Sequence, residues 1–187
     1  MSNTIQYLPI LRAQVYNEEA KLARMKSSIN NMGQFSSKKR CYTIFMTTDY
    51  TLARSAPVIT IFVKYRDKFL LVKRSDKMLT YQGLWSCLAG FVDDDKTMEE
   101  KVRFEIEEEL GLKQSDIKEI KQGETYLFVD KNLDREWIRH IFFVEITNPN
   151  IKLSWEHSEM VWVTAEDARR YETTPGFNDD LEKIIAL

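Results

Sequence analysis

Two hydrophobic periods divide the chain. Over residues 8–29, Leu8, Leu11, Val15, Leu22, Met25 and Ile29 recur at a 3-4 spacing broken only by Glu18, which predicts an amphipathic helix. Asn30, Asn31 and Gly33 stop it, and residues 34–40 form a polar, basic connector. From Cys41 onward the pattern changes to short β-branched and aromatic runs. Residues 41–47 are a first candidate strand. Residues 58–65 and 69–72 flank the polar Arg66-Asp67-Lys68 turn and predict a hairpin. A loop containing Gly83 follows over 81–85. Residues 97–110 predict a helix, with Thr97 and Glu100 spaced as a capping box and Gly111 at the C-cap. Strands are expected over 117–129 and 137–146. A short strand at 160–163 leads into a helix capped by Thr164, and Asn178 is expected to cap a last helix ending at Leu187. Strands and helices interleave without strict alternation, so the fold class expected is α/β in the broad sense (α+β): a mixed sheet between helices. Residues 1–40 are expected to be an N-terminal helical arm and connector, and 41–187 the main domain. The apolar seam of the arm resembles three heptads and suggests a homodimer contact.

Composition narrows the classes of function. Of 187 residues, 43% are hydrophobic and 30% charged, as in a soluble globular protein. Lys+Arg 27 against Asp+Glu 29 leaves a net charge of −2, the wrong balance for a generic nucleic-acid binder. Cys41 and Cys87 are too few for a disulfide framework and suit reduced thiols. No apolar run approaches the roughly 20 residues needed to cross a bilayer, and Gln6, Arg12, Asn17, Glu18 and Glu19 stand where a signal peptide would be apolar. A cytoplasmic protein without membrane or nucleic-acid partners is expected.

The chemistry concentrates on the helix predicted at 97–110. Glu105, Glu108 and Glu109 fall within about 100° of arc, Glu107 points nearly opposite, and Val102, Ile106 and Leu110 form the adjoining apolar stripe. Glu105 and Glu109 are like charges at i,i+4, and the last glutamates lie at the negative end of the helix dipole, so the arrangement is electrostatically poor by itself. A divalent cation would reverse the sign of each of these terms, and clustered carboxylate oxygens are what Mg²⁺ or Mn²⁺ prefers. A solvated acidic face is the alternative for any isolated Glu-rich helix.

The frame around the glutamates decides between them. From Gly90 to Leu112 the chain resembles the Nudix box, G-x5-E-x7-R-E-U-x-E-E-x-G-U, with Gly90, Glu105, Ile106, Glu108, Glu109, Gly111 and Leu112 in register. Lys96 stands where the family has Glu, and Phe104 where it has Arg. Lys73-Arg74-Ser75, Gly83-Leu84-Trp85 and Trp162-Val163-Thr164 with Glu166 extend the likeness over roughly residues 55–187. The resemblance implies a Nudix-like domain that hydrolyses a pyrophosphate bond in a small-molecule diphosphate, of the ADP-ribose, sugar-nucleotide or nucleoside-triphosphate type. It implies a Mg²⁺ (or Mn²⁺) site made by Glu105, Glu108 and Glu109 and by the backbone carbonyl of Ala89 or Gly90. Glu105 would be a ligand or the general base, and Glu156 or Glu159 would reach in from the loop before the 160–163 strand. Both members of a potential Glu–Arg pair are replaced together, which suggests one support exchanged for another, with Lys96 or Lys101 supplying positive charge.

Substrate contacts follow less directly. Arg74 is a candidate phosphate clamp, because guanidinium matches phosphate oxygens bidentately, or else a solvated strand-end charge. Tyr81 and Trp85 are candidates to stack on a base, or else core aromatics. His140 and His157 lack partners at metal-ligand spacing and read as structural or exposed. Two competing functions are an isomerase and a non-catalytic module that binds a nucleotide or protein. The isomerase would resemble isopentenyl diphosphate isomerase, which shares this fold and holds a prenyl diphosphate with a metal. Cys87 follows Trp85 by two residues as that likeness requires, but no His-Pro follows it.

Overall fold

The computed structural model describes residues 48–50 and 52–187. The helix expected over 8–29 and the strand over 41–47 lie outside the described residues. The predicted hairpin is present as β1 (Ser55–Tyr65) and β2 (Lys68–Arg74), turning through Arg66 at a positive φ of 57°. Two short strands, β3 (Trp85–Ser86) and β4 (Leu88–Phe91), form where the pattern predicts none. The predicted central helix is α1 (Met98–Leu110). Thr97 and Glu100 close the capping box, and Gly111 takes the left-handed C-cap at φ 66°. After a 3₁₀ turn come β5 (Ile117–Asp130), β6 (Arg135–Ile146), β7 (His157–Val163), a one-turn helix α2 (Ala165–Ala168) capped by Thr164, and α3 (Phe177–Ile185).

Among the described residues, seven strands make one mixed sheet. Its main path runs β3-β2-β1-β6-β5, with β4 paired antiparallel to β1 and β7 to β2. β1 runs parallel to β6 from Ser55↔Glu136 to Lys64↔Glu145. Alternation along β1 then fixes two cores. Ile59, Ile61 and Val63 face α1 with Leu88, Val102, Ile106, Leu110, Phe142 and Val144. Phe62 faces the opposite layer with Phe69, Ile141, Phe177, Leu181 and Ile184. The expected mixed sheet between helices is the architecture found.

Burying Val102, Ile106 and Leu110 stabilises α1 by roughly 1.5–3 kcal/mol per side chain. Like-charge and dipole penalties among the glutamates amount to a few tenths to about 1 kcal/mol each. Packing therefore wins, and the helix forms with its carboxylates in place.

The cap of α3 corrects the expectation for Asn178. The N-cap is Gly176, at φ 83°, and Asn178 sits inside the first turn. A side chain at 176 would collide with the Arg139 guanidinium and the Phe128 ring, so the chain turns there only as glycine. Arg139 is committed to α3: Nη1 donates to Asp180 Oδ2 at 2.6 Å, Nη2 to the Pro175 carbonyl at 2.9 Å, and the guanidinium lies 3.8 Å from the Phe128 ring. Tyr126 donates to the other Asp180 oxygen at 2.6 Å. Asp180 is buried, so removing it strands a buried cation. Asp180→Ala is expected to cost about 3–5 kcal/mol in equilibrium urea unfolding, whereas Arg139→Met with Asp180→Leu recovers most of that loss.

Candidate active site

α1 carries the glutamates to the rim of the first core, and the strands around it decide what each one meets. Glu105 is 9% exposed and lies directly against Gly90 of β4. An added Cβ at Gly90 would occupy the space of the Glu105 carboxyl, so a larger residue there must displace that carboxyl. Burial, partly offset by Lys101, pushes the Glu105 carboxyl up to about 7. Glu108 is half-buried beside it, and Glu107 is exposed as the helical arc predicts.

Glu109 is buried further still. Its Oε2 is 2.5 Å from His157 Nε2 at the start of β7. Burial raises its carboxyl well above the ordinary range, with Glu105 and Glu108 adding to the effect, while burial lowers His157 to about 4. The contact is thus a hydrogen bond between a carboxyl and a neutral imidazole. Among the described residues, Glu109 Oε1 and His157 Nδ1 are buried polar atoms without a hydrogen-bond partner. A buried orphan oxygen costs about 1–3 kcal/mol, so its retention points to a ligand outside the chain.

The end of β2 supplies the cation. Arg74 pairs across the sheet with His157, and its Nε and Nη2 donate to the Thr80 carbonyl and hydroxyl at 2.9 and 3.3 Å. Burial lowers its pKa, and the charges of Glu156 and Glu109 work against that. Of the two candidate loop glutamates, Glu156 belongs to this cluster; burial and the nearby Glu109 push it up to about 7. Glu159 does not, since it pairs with Lys73 at 2.8 Å on the outer sheet surface. Tyr81 and Trp85 have other commitments. The Tyr81 hydroxyl bonds both oxygens of buried Asp130 at 2.6 and 2.7 Å. Trp85 packs edge-on against Tyr171 with Lys73 over its face. Cys87 packs against the second core, where burial raises its thiol.

The two departures from the box meet in space. Lys96 Nζ lies 5.0 Å, and Lys101 Nζ 5.5 Å, from the Phe104 ring centroid, within cation–π range. Where the family pattern has Glu and Arg, this chain places a lysine beside an aromatic face. Arg103 is no substitute for the missing arginine, because it binds Glu99 and Gln114 on the outer face.

Among the described residues no three acidic, histidine or cysteine side chains close on one point at ligand distance, since Glu109 turns one oxygen to His157 and Glu105 faces Lys101. The donor chemistry nonetheless fits a hard cation: three carboxylates share one helical edge, one of them has an orphaned buried oxygen, and a glycine niche backs another. A separate depression of about 460 Å³, lined by Lys68, Trp162, Arg170 and Tyr171 among others, contains none of these residues.

Residues 53–185 match the family model of the NUDIX domain. The chain belongs to the NUDIX family. Nucleoside triphosphatase NudI of Escherichia coli (strain SE11) is 25% identical over 126 residues, covering 64% of this chain and 89% of that protein. The MutT protein from Methanosarcina mazei Go1 superposes with a TM-score of 0.57 at 26% identity, covering 71% of this chain and 94% of that one. The NUDIX domain of Shewanella oneidensis NrtR, complexed with ADP ribose, shares the fold with a TM-score of 0.60 at 17% identity, over 71% and 87% of the two chains. Membership makes this NUDIX protein a pyrophosphohydrolase, an enzyme that opens a pyrophosphate bond with water.

The sequence reading of His157 as structural or exposed did not place it beside Glu109, and it passed over the pair Asp93 and Asp94. His157 meets Glu109 across 48 residues of chain, and no local spacing signals that. The aspartates matter because they gather Lys101, the i−4 neighbour of Glu105. Displacing a reacting group by about 1 Å can cost about 100-fold in rate. Gly90→Ala, which pushes the Glu105 carboxyl out of its niche, is therefore expected to lower kcat by about that factor while far-UV circular dichroism remains native.

Proposed function

We propose that this NUDIX protein hydrolyses a pyrophosphate bond in a nucleotide-type diphosphate in a divalent-metal-dependent reaction. Nucleoside triphosphates are the first substrates to test, followed by ADP-ribose and sugar nucleotides. The observation that carries the reading is the row Glu105, Glu108 and Glu109 on one edge of α1, with Glu109 Oε1 buried and unpartnered. The curated relatives named nucleoside triphosphatase support the order of substrates. Glu105, Glu108, Glu109 and the backbone carbonyl of Ala89 or Gly90 would hold Mg²⁺ or Mn²⁺, with Glu156 as the further carboxylate in reach. Bound there, the cation supplies charge neutralisation for the pyrophosphate and acidifies water.

The chain's own groups do the rest. Glu105, fixed between Gly90 and Lys101, accepts the proton of the attacking water. His157 orients Glu109 through a neutral hydrogen bond and adds no charge to compete for the anionic site. Arg74, anchored on Thr80, presents a guanidinium at the acidic cluster, where it can bind a phosphate oxygen.

The test is a panel of nucleoside triphosphates, ADP-ribose and sugar nucleotides incubated with Mg²⁺ and read by mass spectrometry. Metal-dependent release of a nucleoside monophosphate product is expected. Glu108→Gln should lower that turnover by at least about 100-fold. It should also leave thermal stability in chelator unchanged or raised, because it removes one of three like charges. Wild-type turnover undiminished by excess chelator would refute the reading.

A further inference from the structure

We propose that Lys101 is the positioning residue for Glu105 in this chain, supplying from one turn earlier on α1 the positive charge that the family pattern places at position 104. The inference rests on the proposed hydrolysis and deepens it. Lys101 Nζ lies 2.8 Å from Asp93 Oδ1, 3.6 Å from Asp94 Oδ2 and 3.4 Å from Glu105 Oε1. Its side chain is 7% exposed, unusual for a residue whose ammonium ordinarily reaches water. Phe104 covers it: the ring centroid is 5.5 Å from Nζ, so the side chain at 104 reaches the same space that the ammonium fills.

Helix energetics alone do not account for the contact. With lysine N-terminal to glutamate, the i,i+4 pair has the less favourable order, worth a few tenths of a kcal/mol at most on an exposed face. Nor is Lys101 needed merely to neutralise the loop, because Asp94 already pairs with Lys96. What Lys101 alone provides is a cation held from two sides, by the 93–94 loop and by α1, with Glu105 Oε1 within reach. Gly90 bounds the Glu105 carboxyl on its other side. The carboxyl is thus clamped between a backbone surface and a buried ammonium. Such a clamp works by orientation and opposes cation binding by its charge. Removing it should therefore separate two properties that a structural defect would lower together.

The experiment compares wild type, Lys101→Met, Lys101→Arg, Lys101→Ala and the double variant Lys101→Ala/Phe104→Arg. Each is assayed for kcat and KM with Mg²⁺ and the substrate found in the panel, and for Mn²⁺ binding without substrate, by electron paramagnetic resonance of free Mn²⁺. Lys101→Met is expected to lower kcat about tenfold or more with KM little changed, and to bind Mn²⁺ about fivefold more tightly. Lys101→Arg should keep most of the wild-type kcat, and the double variant should recover turnover lost in Lys101→Ala. If Lys101→Met does not fold, Lys101→Met with Asp93→Asn and Asp94→Asn takes its place, since it leaves no unpaired loop carboxylates. An unchanged kcat in Lys101→Met overturns the inference, as does a parallel loss of turnover and Mn²⁺ binding. A wild type that hydrolyses nothing in the panel defeats the functional reading itself, a result distinct from either.

Discussion

The contact on which the site depends is that of the Glu105 carboxyl with the backbone of Gly90. It requires a helix whose apolar stripe is strong enough to seat three glutamates at the rim of a core, and a strand with no side chain where the carboxyl lands. Val102, Ile106 and Leu110 meet the first condition, and the pairing of β4 with β1 meets the second by fixing Gly90 opposite Ile59. Shifting β4 by one residue would bring Ala89 or Phe91 under Glu105 and turn the alternation of the strand inside out. Register, core packing and acid–base geometry are in this sense a single constraint.

Around that contact the chain keeps its charges few and committed. The ammonium of Lys101 faces three carboxylates, Arg74 is tethered to Thr80, and His157 stays neutral against Glu109. A protonated histidine at that position would have neutralised the helix edge from within. Burial in the β7–α1 junction keeps its basicity low, so His157 brings no positive charge to Glu109. Lys96, paired with Asp94, also lies over the Phe104 ring, so an aromatic face and a carboxylate both hold that ammonium.

Much of this was readable in the sequence wherever the determinants are local. Thr97, Glu100 and Gly111 announced α1 and both of its caps, and the glutamate arc followed from helical geometry alone. β3 and β4 were not readable: each is too short to show a period, and both are strands only because β2 and β1 offer them an edge. Asn178 misled because it has the right chemistry for a cap, but the turn was taken by Gly176, where Arg139 leaves no room for a side chain. Glu156 and Glu159 were equivalent in sequence. Lys73, lying opposite Glu159 on β2, claims that residue and leaves Glu156 to the cluster. Each miss is a tertiary choice between residues of similar local propensity.

The parallel ladder between β1 and β6 has a consequence for how the protein is made. Every pair in it, from Ser55↔Glu136 to Lys64↔Glu145, joins positions roughly 80 residues apart. As the chain leaves the ribosome, β1 and its hairpin partner emerge with one long edge unmatched. That edge stays open until the whole carboxylate helix and β5 have also been synthesised. Folding of the central sheet therefore waits on the last third of the chain, and the nascent NUDIX domain spends that interval with one edge of β1 open, the state in which chaperone capture and edge-to-edge misassociation compete with folding.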